Sequence, residues 1–529
     1  MAIYRTNYAD IPQLSDRDKA YQSDQNPFES LISYKPELAS FIQAIEDRKK
    51  YPVDRTLIVN VLNEQYKDIA NCDLSKQNIE LLRSENTFTV ITAHQPVLFT
   101  GPLYYIIKIY SAINMAEKLK ETHPAYDFVP VFISGGEDHD FDEVNSCNLY
   151  GKTIEWNQDK TGSVGRMNLD GIQEAITALE DILSDKENAQ RAKKWINEAY
   201  SNSASYAEFT NSLVNRIFSK YGLVTLNPDH KDLKASFASV MKKELLEQSS
   251  APLVQQTQST IEALGYKTQA FARDINLFYL QQGSRERIEL DNGEYKILNT
   301  ALTFTEEEIL LELDNHPERF SPNVIMRPMY QETILPNLAY IGGGGELAYW
   351  IERKSQFSEF SIFFPILIRR ASAMLITSGN AKNMDKLNIS VDRIFHDEDR
   401  LIADLVNAES EVNLSLAEQL QSVDNVFQSI AARAKIIDPT LEGKVLAEGN
   451  KQLKIIEHLE LRLRRTVKAQ QETEVNKIRK IKSSLFPNNG LQERHDNFFQ
   501  YYDMYGDQLL DLMKENIDAF DKNFITIEL

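Results

Sequence analysis

The fold is decided by residues 88–133, which begin with the stretch Phe88-Thr89-Val90-Ile91-Thr92. The β-branched and aromatic residues of this stretch predict a buried strand. A loop over Ala93–Pro102 follows, and then an apolar helix from about Leu103 to Leu119. A second apolar stretch, Phe128–Ile133, predicts another strand. A strand, a helix and a strand at this spacing predict a right-handed βαβ unit with a parallel sheet.

Further apolar stretches predict three more strands of the same core, at Leu223–Pro228, Asn323–Pro328 and Phe363–Ile368. Between the last two, a glycine-rich segment opens a helix from about Leu347 to Gln356. We therefore expect an α/β protein whose Rossmann-like core spans residues 1–390 and carries small insertions at about 150–220 and 265–322.

A different pattern follows from about residue 397, where glycine and proline almost disappear and apolar residues recur every three to four positions. The first stripe begins with Leu401, Leu405, Ala408 and Val412. Asp438-Pro439 interrupts the pattern, because proline disfavours helical geometry at the residue before it. We expect an antiparallel coiled-coil hairpin over residues 391–484, with two helices of about 40 residues and a length on the order of 60 Å. The aromatic segment 485–529 is expected to pack back on the core.

Charge and composition exclude several classes of protein. The 529 residues carry a net charge of −20, which argues against nonspecific nucleic-acid binding. No apolar run approaches the ~20 residues that span a membrane, and the N-terminal residues lack the apolar core of a secretion signal. The only cysteines, Cys72 and Cys147, exclude a disulfide scaffold. We expect a cytoplasmic protein without membrane or nucleic-acid partners.

Ligands of open parallel sheets bind beyond the carboxyl ends of the strands, where the predicted unit has two polar loops. The first loop contains the candidates His94, Gln95, Thr100 and Gly101, and the second contains Glu137, Asp138, His139 and Asp140. Imidazoles can exchange protons near neutral pH, and carboxylates can bind an ammonium group or help to hold Mg²⁺. Simple capping of the following helix by Asp138 or Asp140 is the alternative.

Two later segments add candidates for binding an anion. A run of glycines before a helix lets backbone N–H groups approach a phosphate or carboxylate, although Glu346 disfavours an anion there and a flexible turn is the alternative. Arg370, with Ser372 nearby, follows a predicted strand and could bind phosphate, the alternative being a surface ion pair. Arg327 ends another predicted strand and is a similar candidate. The glycines are Gly342, Gly343, Gly344 and Gly345.

The acidic loop and Cys147 resemble a zinc-ligand cluster, but the spacing of neither a C-x-x-C nor an H-E-x-x-H motif is present. We therefore expect no protein-held metal, and we expect Cys147 to be a small core residue.

Several segments of the chain are distinctive, and the most specific is Gly136-Glu137-Asp138-His139-Asp140-Phe141-Asp142-Glu143-Val144-Asn145. Others are Thr92–Gln95, Leu98–Tyr104, Arg327-Pro328, Leu335-Pro336, Ala339–Gly343, Gly345–Trp350, Leu485–Asn488 and Leu491–Arg494. In these segments the chain resembles the BshC family, the cysteine-adding enzymes of bacillithiol biosynthesis. One departure lies in the first loop, where many relatives read Thr-Gly-Gln-Gln. His94 makes this loop similar to the histidine signature of class I aminoacyl ligases.

The resemblance implies a nucleotidyltransferase-like Rossmann core with connecting insertions, a long coiled-coil arm and a homodimer formed through that arm. It also implies the last step of bacillithiol biosynthesis, in which the carboxyl group of cysteine is joined to the amine of glucosaminyl-malate. Activation of the carboxyl group by ATP, accompanied by Mg²⁺, is our hypothesis for this step.

In this hypothesis His94, Gln95 and Arg370 stabilise charge on the phosphates, Glu137 or Asp138 holds an ammonium group, and His139 deprotonates the attacking amine. Another ATP-dependent ligase or nucleotidyltransferase on the same core is one alternative. A non-catalytic coiled-coil assembly protein is the other. The sequence leaves open which nucleotide binds, whether an adenylate or an acyl phosphate forms, and whether a partner protein is needed.

Overall fold

The computed structural model describes residues 2–158, 161–408 and 414–529, so Val412 of the predicted apolar stripe lies outside the described residues. The chain forms two compact units. The sheet unit comprises Arg5–Met374, Leu491–Ile527 and Leu529, and the helical unit comprises Leu375–Gly490 with residues 2–4 and Glu528.

A five-stranded parallel sheet forms the centre of the sheet unit. Its strands are β1 (Thr87–His94), β2 (Asp127–Ser134), β3 (Val224–Leu226), β4 (Asn337–Gly342) and β5 (Ile366–Arg369), in the spatial order β5-β4-β1-β2-β3. Helix α1 (Tyr104–Thr122) connects β1 to β2. The predicted βαβ unit and its parallel sheet are therefore confirmed, as are the strands expected near residues 223–228 and 363–368.

The sheet is buried on both faces, which explains its nearly continuous apolar strands. Along β1, Phe88 and Val90 face one core cluster, whereas Ile91 and Ala93 face the other. Helix α1 supplies Ala112, Met115 and Leu119 to the first cluster. Successive side chains of a strand point to opposite faces of the sheet. A strand that is buried on both faces therefore needs an apolar residue at nearly every position.

One predicted strand is wrong. Residues 323–328 do not form a strand of the parallel sheet. Helix α2 (Arg327–Ile334) begins at Arg327, so this arginine starts a helix rather than ending a strand. The Asn323 side chain accepts hydrogen bonds from the backbone N–H groups of Ile325 and Met326, which stabilises a turn. Ile325 and Met326 are buried, and this burial explains why the stretch has the apolar pattern of a strand.

The strand that occupies this part of the parallel sheet is β4, which the sequence pattern does not predict. All six of its residues are buried, and it lies between β1 and β5. Its apolar stretch is only four residues long and stands between Pro336 and Gly342, so periodicity could not distinguish it from a loop. Helix α3 (Gly344–Trp350) follows directly.

The described chain also forms smaller sheets. A five-stranded antiparallel sheet has the order Thr303–Phe304, Glu294–Ile297, Ser284–Asp291, Leu277–Gln281, Phe320–Pro322. A two-stranded hairpin pairs Ser146–Leu149 with Lys152–Glu155, and Cys147 is buried within it. The remaining strands are Ile3–Asn7, Ala373–Ile376 and Asn523–Glu528.

The other helices of the sheet unit surround these sheets. They are Asp16–Gln22, Phe41–Arg48, Arg55–Gln65, Asp73–Leu81, Ile172–Ile182, Glu187–Ser201, Tyr206–Phe218, Lys231–Ser236, Ala238–Glu247, Ser250–Ala263, Glu306–Asn315, Lys354–Glu359, Phe498–Tyr505 and Asp507–Asn516.

The helical unit contains a pair of packed helices, Ala417–Ile437 and Pro439–Gln470, that come close where Gly449 faces the Phe427 ring. The predicted break at Asp438 is confirmed: its side chain accepts from the N–H of Thr440 at 2.8 Å and caps the second helix. The predicted length of about 40 residues per helix is wrong, since these helices have 21 and 32 residues. The longer one spans about 48 Å at 1.5 Å per residue. The remaining helices of this unit are Ser378–Lys386, Val391–Ile394, Glu398–Ala408 and Glu472–Leu485.

Candidate functional site

A cavity of about 420 Å³ lies at the carboxyl ends of the parallel strands, and we call it the site cavity. Strand register explains its position. His94 is paired with Ser134, and Gly342 is paired with Arg369, so the residues that follow these four positions converge at one edge of the sheet. The volume is within the usual range for small-molecule sites, about 300–1,000 Å³.

Nine of the predicted site residues line the site cavity, and seven do not. The lining residues are His94, Gln95, Glu137, Asp138, Arg327, Gly343, Gly345, Glu346 and Arg370. The seven that do not line it are Thr100, Gly101, His139, Asp140, Gly342, Gly344 and Ser372.

His94 is a neutral imidazole with both ring nitrogens occupied. Its Nδ1 lies 3.0 Å from the Gln95 carbonyl oxygen, which can only accept, so Nδ1 carries the proton. Nε2 then accepts from the Tyr104 hydroxyl at 2.8 Å. Burial, followed by the positive charge of Lys108, lowers the pKa of His94 to about 4. His94 therefore orients Tyr104 near neutral pH and does not supply a positive charge.

Asp138 is the most exposed of the three carboxylates that line the site cavity. One carboxylate oxygen accepts from the Gln95 amide at 2.8 Å, and the other accepts from the backbone N–H of His139 at 2.8 Å. The Arg285 guanidinium lies 3.4 Å from the second oxygen. Because 42% of the Asp138 side chain remains exposed, this carboxylate can still accept an ammonium group.

His139 and Asp140 lie outside the site cavity. The His139 side chain is 51% exposed, and its Nδ1 accepts from Arg285 at 3.2 Å. Asp140 is exposed. The His139 ring also lies against Phe278, so it contacts the antiparallel sheet rather than the cavity.

Glu137 already has an ammonium partner within the protein. Its buried carboxylate forms an ion pair with Lys234, whose side chain is fully buried and also donates to the Phe320 carbonyl at 2.6 Å. The Ser321 hydroxyl donates to the other carboxylate oxygen at 3.3 Å. Burial raises the pKa of Glu137, although Lys234 opposes this shift. Of the two carboxylates proposed to bind a substrate ammonium group, Asp138 is therefore the one that remains available.

The glycine run contains a carboxylate of its own chain. Glu346 accepts from the backbone N–H of Gly343 at 2.8 Å, and its two oxygens accept from Lys108 at 2.7 and 2.6 Å. Burial would raise the pKa of Glu346, but Lys108 and the other donors hold it below its usual range. A side chain at Gly344 would collide with the Asp18 carboxylate at 2.6 Å. Gly344 therefore permits close packing rather than ligand contact, and Gly342 is similarly close to the Tyr340 ring.

Arginines supply the positive charge of the cavity lining. Arg370 forms a 2.8 Å ion pair with Glu493, and both side chains are almost completely buried, so it is not part of a surface ion pair. Ser372 donates to the same carboxylate at 3.0 Å from behind Arg370. Arg327 instead donates only to neutral partners, the Gln331 amide oxygen at 3.2 Å and the Tyr349 hydroxyl at 3.4 Å. The Glu346 carboxylate, which is paired with Lys108, acts on Arg327 without forming an ion pair with it.

Among the described residues no carboxylate lies within 4 Å of Arg327, so its charge is available to an anionic ligand. Arg494 also lines the site cavity.

Thr100 and Gly101 belong to a buried structural loop. The Asn497 amide donates to the carbonyl oxygens of Phe99 and Gly101, both at 2.7 Å. Gly101 has a φ of +54°, and a Cβ there would lie 2.1 Å from Val97. The function of these two residues is to hold the loop, because neither reaches the site cavity.

Sequence reasoning missed several residues of the site. Tyr104 and Lys108 lie one helical turn apart on α1, and a single charge within its apolar stretch was a usable signal. Lys234, the partner of Glu137, and Arg285 come from distant parts of the chain, and no local pattern distinguishes them from surface residues. Tyr349 and Arg494 lie in segments that carry the family resemblance, but no pattern in those segments singles out their side chains.

The chain is similar to known proteins along its whole length. The family model "Bacillithiol biosynthesis BshC, N-terminal Rossmann-like domain" matches residues 4–371, and the model "Bacillithiol biosynthesis BshC, C-terminal coiled-coil domain" matches residues 373–529. The chain is 40% identical to a protein of Flavobacterium johnsoniae, with 96% of each chain covered. It is 41% identical to one of Christiangramia forsetii, with 95% of each covered. Both relatives bear the name "Putative cysteine ligase BshC".

A solved structure titled as a putative arginyl-tRNA synthetase from Campylobacter jejuni has 9% identity and a TM-score of 0.21, covering 86% of this chain and 98% of its own; a likeness this weak supports no conclusion. No helix in the described ranges is both long and apolar enough to cross a membrane. The two family models together account for nearly every residue, and the chain belongs to the BshC family of bacillithiol biosynthesis.

Proposed function

We propose that this protein is a cysteine ligase that joins the carboxyl group of cysteine to the amine of glucosaminyl-malate, using ATP. The observation that carries the proposal is membership of the BshC family over both of its domains. The site cavity supports it, since its lining offers Arg327 to an oxyanion and Asp138 to an ammonium group.

The proposed chemistry has two steps. A cysteine carboxylate oxygen attacks the α-phosphorus of ATP, which forms a phosphorus–oxygen bond and releases pyrophosphate. The acceptor nitrogen then attacks the activated carbonyl carbon, a carbon–nitrogen bond forms, and AMP leaves with the carbon–oxygen bond electrons. The amine loses one proton in this second step. Mg²⁺ enters with ATP and offsets the phosphate charge.

Residues of the site cavity have distinct proposed roles. Arg327 stabilises negative charge on the phosphates, and Arg370, fixed by Glu493, adds a second positive charge. Gln95 orients Asp138, which binds an ammonium group and accepts the proton that the amine loses. His94 positions the Tyr104 hydroxyl toward the cavity.

Two further properties belong to this proposal. The helical unit exposes apolar side chains, among them Val426, Ile455 and Leu459, which we expect to pair with a second copy of the chain. Both cysteines are free and buried, as in proteins of a reducing compartment, and this supports a cytoplasmic location.

The proposal is tested with the purified full chain, ATP, Mg²⁺, cysteine and glucosaminyl-malate. Mass spectrometry of thiols should detect bacillithiol, and each substrate omitted in turn should abolish it. Release of AMP indicates an adenylate, whereas release of ADP indicates an acyl phosphate. AMP formation with a different amine acceptor would identify another ligase. Absence of bacillithiol in the assay, together with failure to restore bacillithiol to a strain lacking it, would contradict the proposal.

A further inference from the structure

A second cavity, of about 410 Å³, lies at the opposite edge of the central sheet, and we call it the N-edge cavity. It is lined by residues before β1 and β4 and by the segment that follows helix Phe41–Arg48. The lining residues that matter here are Arg48, Lys49, Tyr51, Arg55, Glu85 and Pro336. None of them belongs to the site cavity.

Arg48 is a buried cation that forms no ion pair, although the buried Glu332 carboxylate acts on its charge from farther away. Its side chain donates to the carbonyl oxygens of Tyr51 at 2.7 Å, Glu332 at 3.1 Å and Leu335 at 2.7 Å. The residue is 3% exposed, and its Nε has no hydrogen-bond partner in the described part of the chain. Burial lowers the pKa of Arg48 to about 10, which leaves it charged at neutral pH. Buried donors normally have partners, so the unpaired Nε leaves the Arg48 guanidinium with one unused donor beside the cavity.

Arg55 has the same arrangement on the neighbouring wall. It donates to the carbonyl oxygens of Leu82 at 2.9 Å and Thr87 at 3.0 Å. Carbonyl oxygens satisfy N–H groups but do not neutralise a positive charge. Neither Arg48 nor Arg55 has a carboxylate within 4 Å among the residues that the structure describes.

The residues that line the N-edge cavity carry more positive than negative charge. Lys49 reaches it and is paired with Glu46 at 2.8 Å, at a surface position where such a pair is weak. Glu85 is the one carboxylate among the lining residues, and it is exposed. The exposed Tyr51 ring adds an aromatic wall. Two guanidinium groups and one ammonium group therefore face one lining carboxylate.

We propose that the N-edge cavity binds a small molecule through an oxyanion group, either phosphoryl or carboxylate. Guanidinium groups are suited to such groups, and a partly buried setting strengthens the attraction because water screens it less. The volume leaves room for more than the oxyanion alone. This inference goes beyond the proposed ligase reaction and does not depend on it.

Hydrogen–deuterium exchange of the full chain tests the proposal and localises the ligand. Inorganic pyrophosphate and succinate serve as the phosphoryl and carboxylate probes, each against sodium chloride at equal ionic strength. We expect at least one probe to protect peptides that cover residues 48–55 and 85–88. The probe that protects at the lower concentration identifies the type of oxyanion.

Three variants make the test specific. In Lys49→Gln the probe concentration for half-maximal protection should rise about threefold, and in Arg55→Gln about tenfold. Lys50→Gln is the matched control, since Lys50 pairs with Asp47 at 2.7 Å as Lys49 pairs with Glu46 but does not line the cavity. It should leave the protection unchanged. If circular dichroism shows that Arg55→Gln does not fold, the proposal is tested by comparing the probe concentration for half-maximal protection in Lys49→Gln with that in Lys50→Gln.

Two results would overturn the proposal. In one, neither probe protects residues 48–55 and 85–88, even if peptides of the site cavity such as 93–95 become protected. In the other, Lys49→Gln and Lys50→Gln reduce the protection equally, which would show a general effect of surface charge. Ligase activity is measured separately, so failure of this proposal and failure of the ligase proposal are distinguishable.

Discussion

At the scale of single residues, the unpaired charge of Arg327 distinguishes it from the other arginines of the site. Arg370 has its own buried carboxylate, whereas Arg327 has only an amide oxygen and a hydroxyl. A guanidinium group of this kind can form charge-assisted hydrogen bonds to a ligand without first losing an ion pair.

We expect Arg327→Gln to lower kcat/KM for bacillithiol formation about 100-fold, because a positive charge facing the phosphates is lost. Arg327→Lys should recover part of the rate. Arg319→Gln is the control, since Arg319 is an exposed arginine paired with Glu312 outside the site cavity. Equal rates for Arg327→Gln and the unaltered chain would remove Arg327 from the mechanism.

The location of His139 leads to a different expectation. Because this ring lies outside the site cavity and contacts Arg285, His139→Ala should lower kcat less than tenfold. Asp138→Asn should lower it about 100-fold or more, since it removes the accessible negative charge. A larger loss from His139→Ala than from Asp138→Asn, in the same steady-state assay, would restore the histidine as the base.

Burial of His94 has a consequence for stability. Its pKa falls from an ordinary 6.5 to about 4, so between these values the unfolded chain binds more protons than the folded one. The stability that the neutral, buried imidazole contributes to the folded chain is fully present above pH 6.5. It is lost as the pH falls toward 4, and the free energy of unfolding then decreases by at most about 3 kcal/mol. In the His94→Gln variant, we expect the free energy of unfolding to fall less between pH 6.5 and pH 4 than in the unaltered chain.

Urea unfolding followed by tryptophan fluorescence measures this effect, since Trp156, Trp195 and Trp350 all lie in the sheet unit. His458→Gln, at an exposed position of the helical unit, is the control and should leave the pH dependence unchanged. An identical pH dependence for His94→Gln and the unaltered chain would contradict the assignment.

At the scale of elements, the Lys108–Glu346 pair connects α1 to the start of α3 beneath the site cavity. Lys108→Met leaves the Glu346 carboxylate without its cation and should lower the unfolding free energy by about 3 kcal/mol. Adding Glu346→Gln should recover more than 1 kcal/mol, because the unpaired charge is then removed. Purely additive effects in urea unfolding would show that the pair is not coupled.

The elements also show how far the sequence could predict the structure. Strands β1 and β2 were predictable because their β-branched runs are long, and their loops could be placed at one edge because parallel strands end together. Strand β4 was not predictable, because its apolar run is too short to distinguish a strand from a loop. The partner of Glu137 could not be predicted either, because Lys234 reaches it only through the three-dimensional arrangement of a distant helix.

At the scale of the whole molecule, the exposed apolar side chains of the helical unit indicate a surface that binds another protein chain. Leu459 and Leu463 are 49% and 45% exposed and lie one turn apart on helix Pro439–Gln470. Two such leucines on one face are costly to leave in water and are typical of a helix–helix interface. We expect the chain to form a homodimer through this surface, with twice the chain mass of 60.7 kDa in size-exclusion chromatography with light scattering.

The variant Leu459→Glu combined with Leu463→Glu should convert the dimer into a monomer, since like charges would then face each other across the interface. Leu311→Glu is the control, because Leu311 is a 62% exposed leucine on a helix of the sheet unit and should leave the mass unchanged. A monomeric unaltered chain at micromolar concentration would contradict the prediction. So would a dimer that persists in the doubly substituted chain, since the interface would then lie elsewhere.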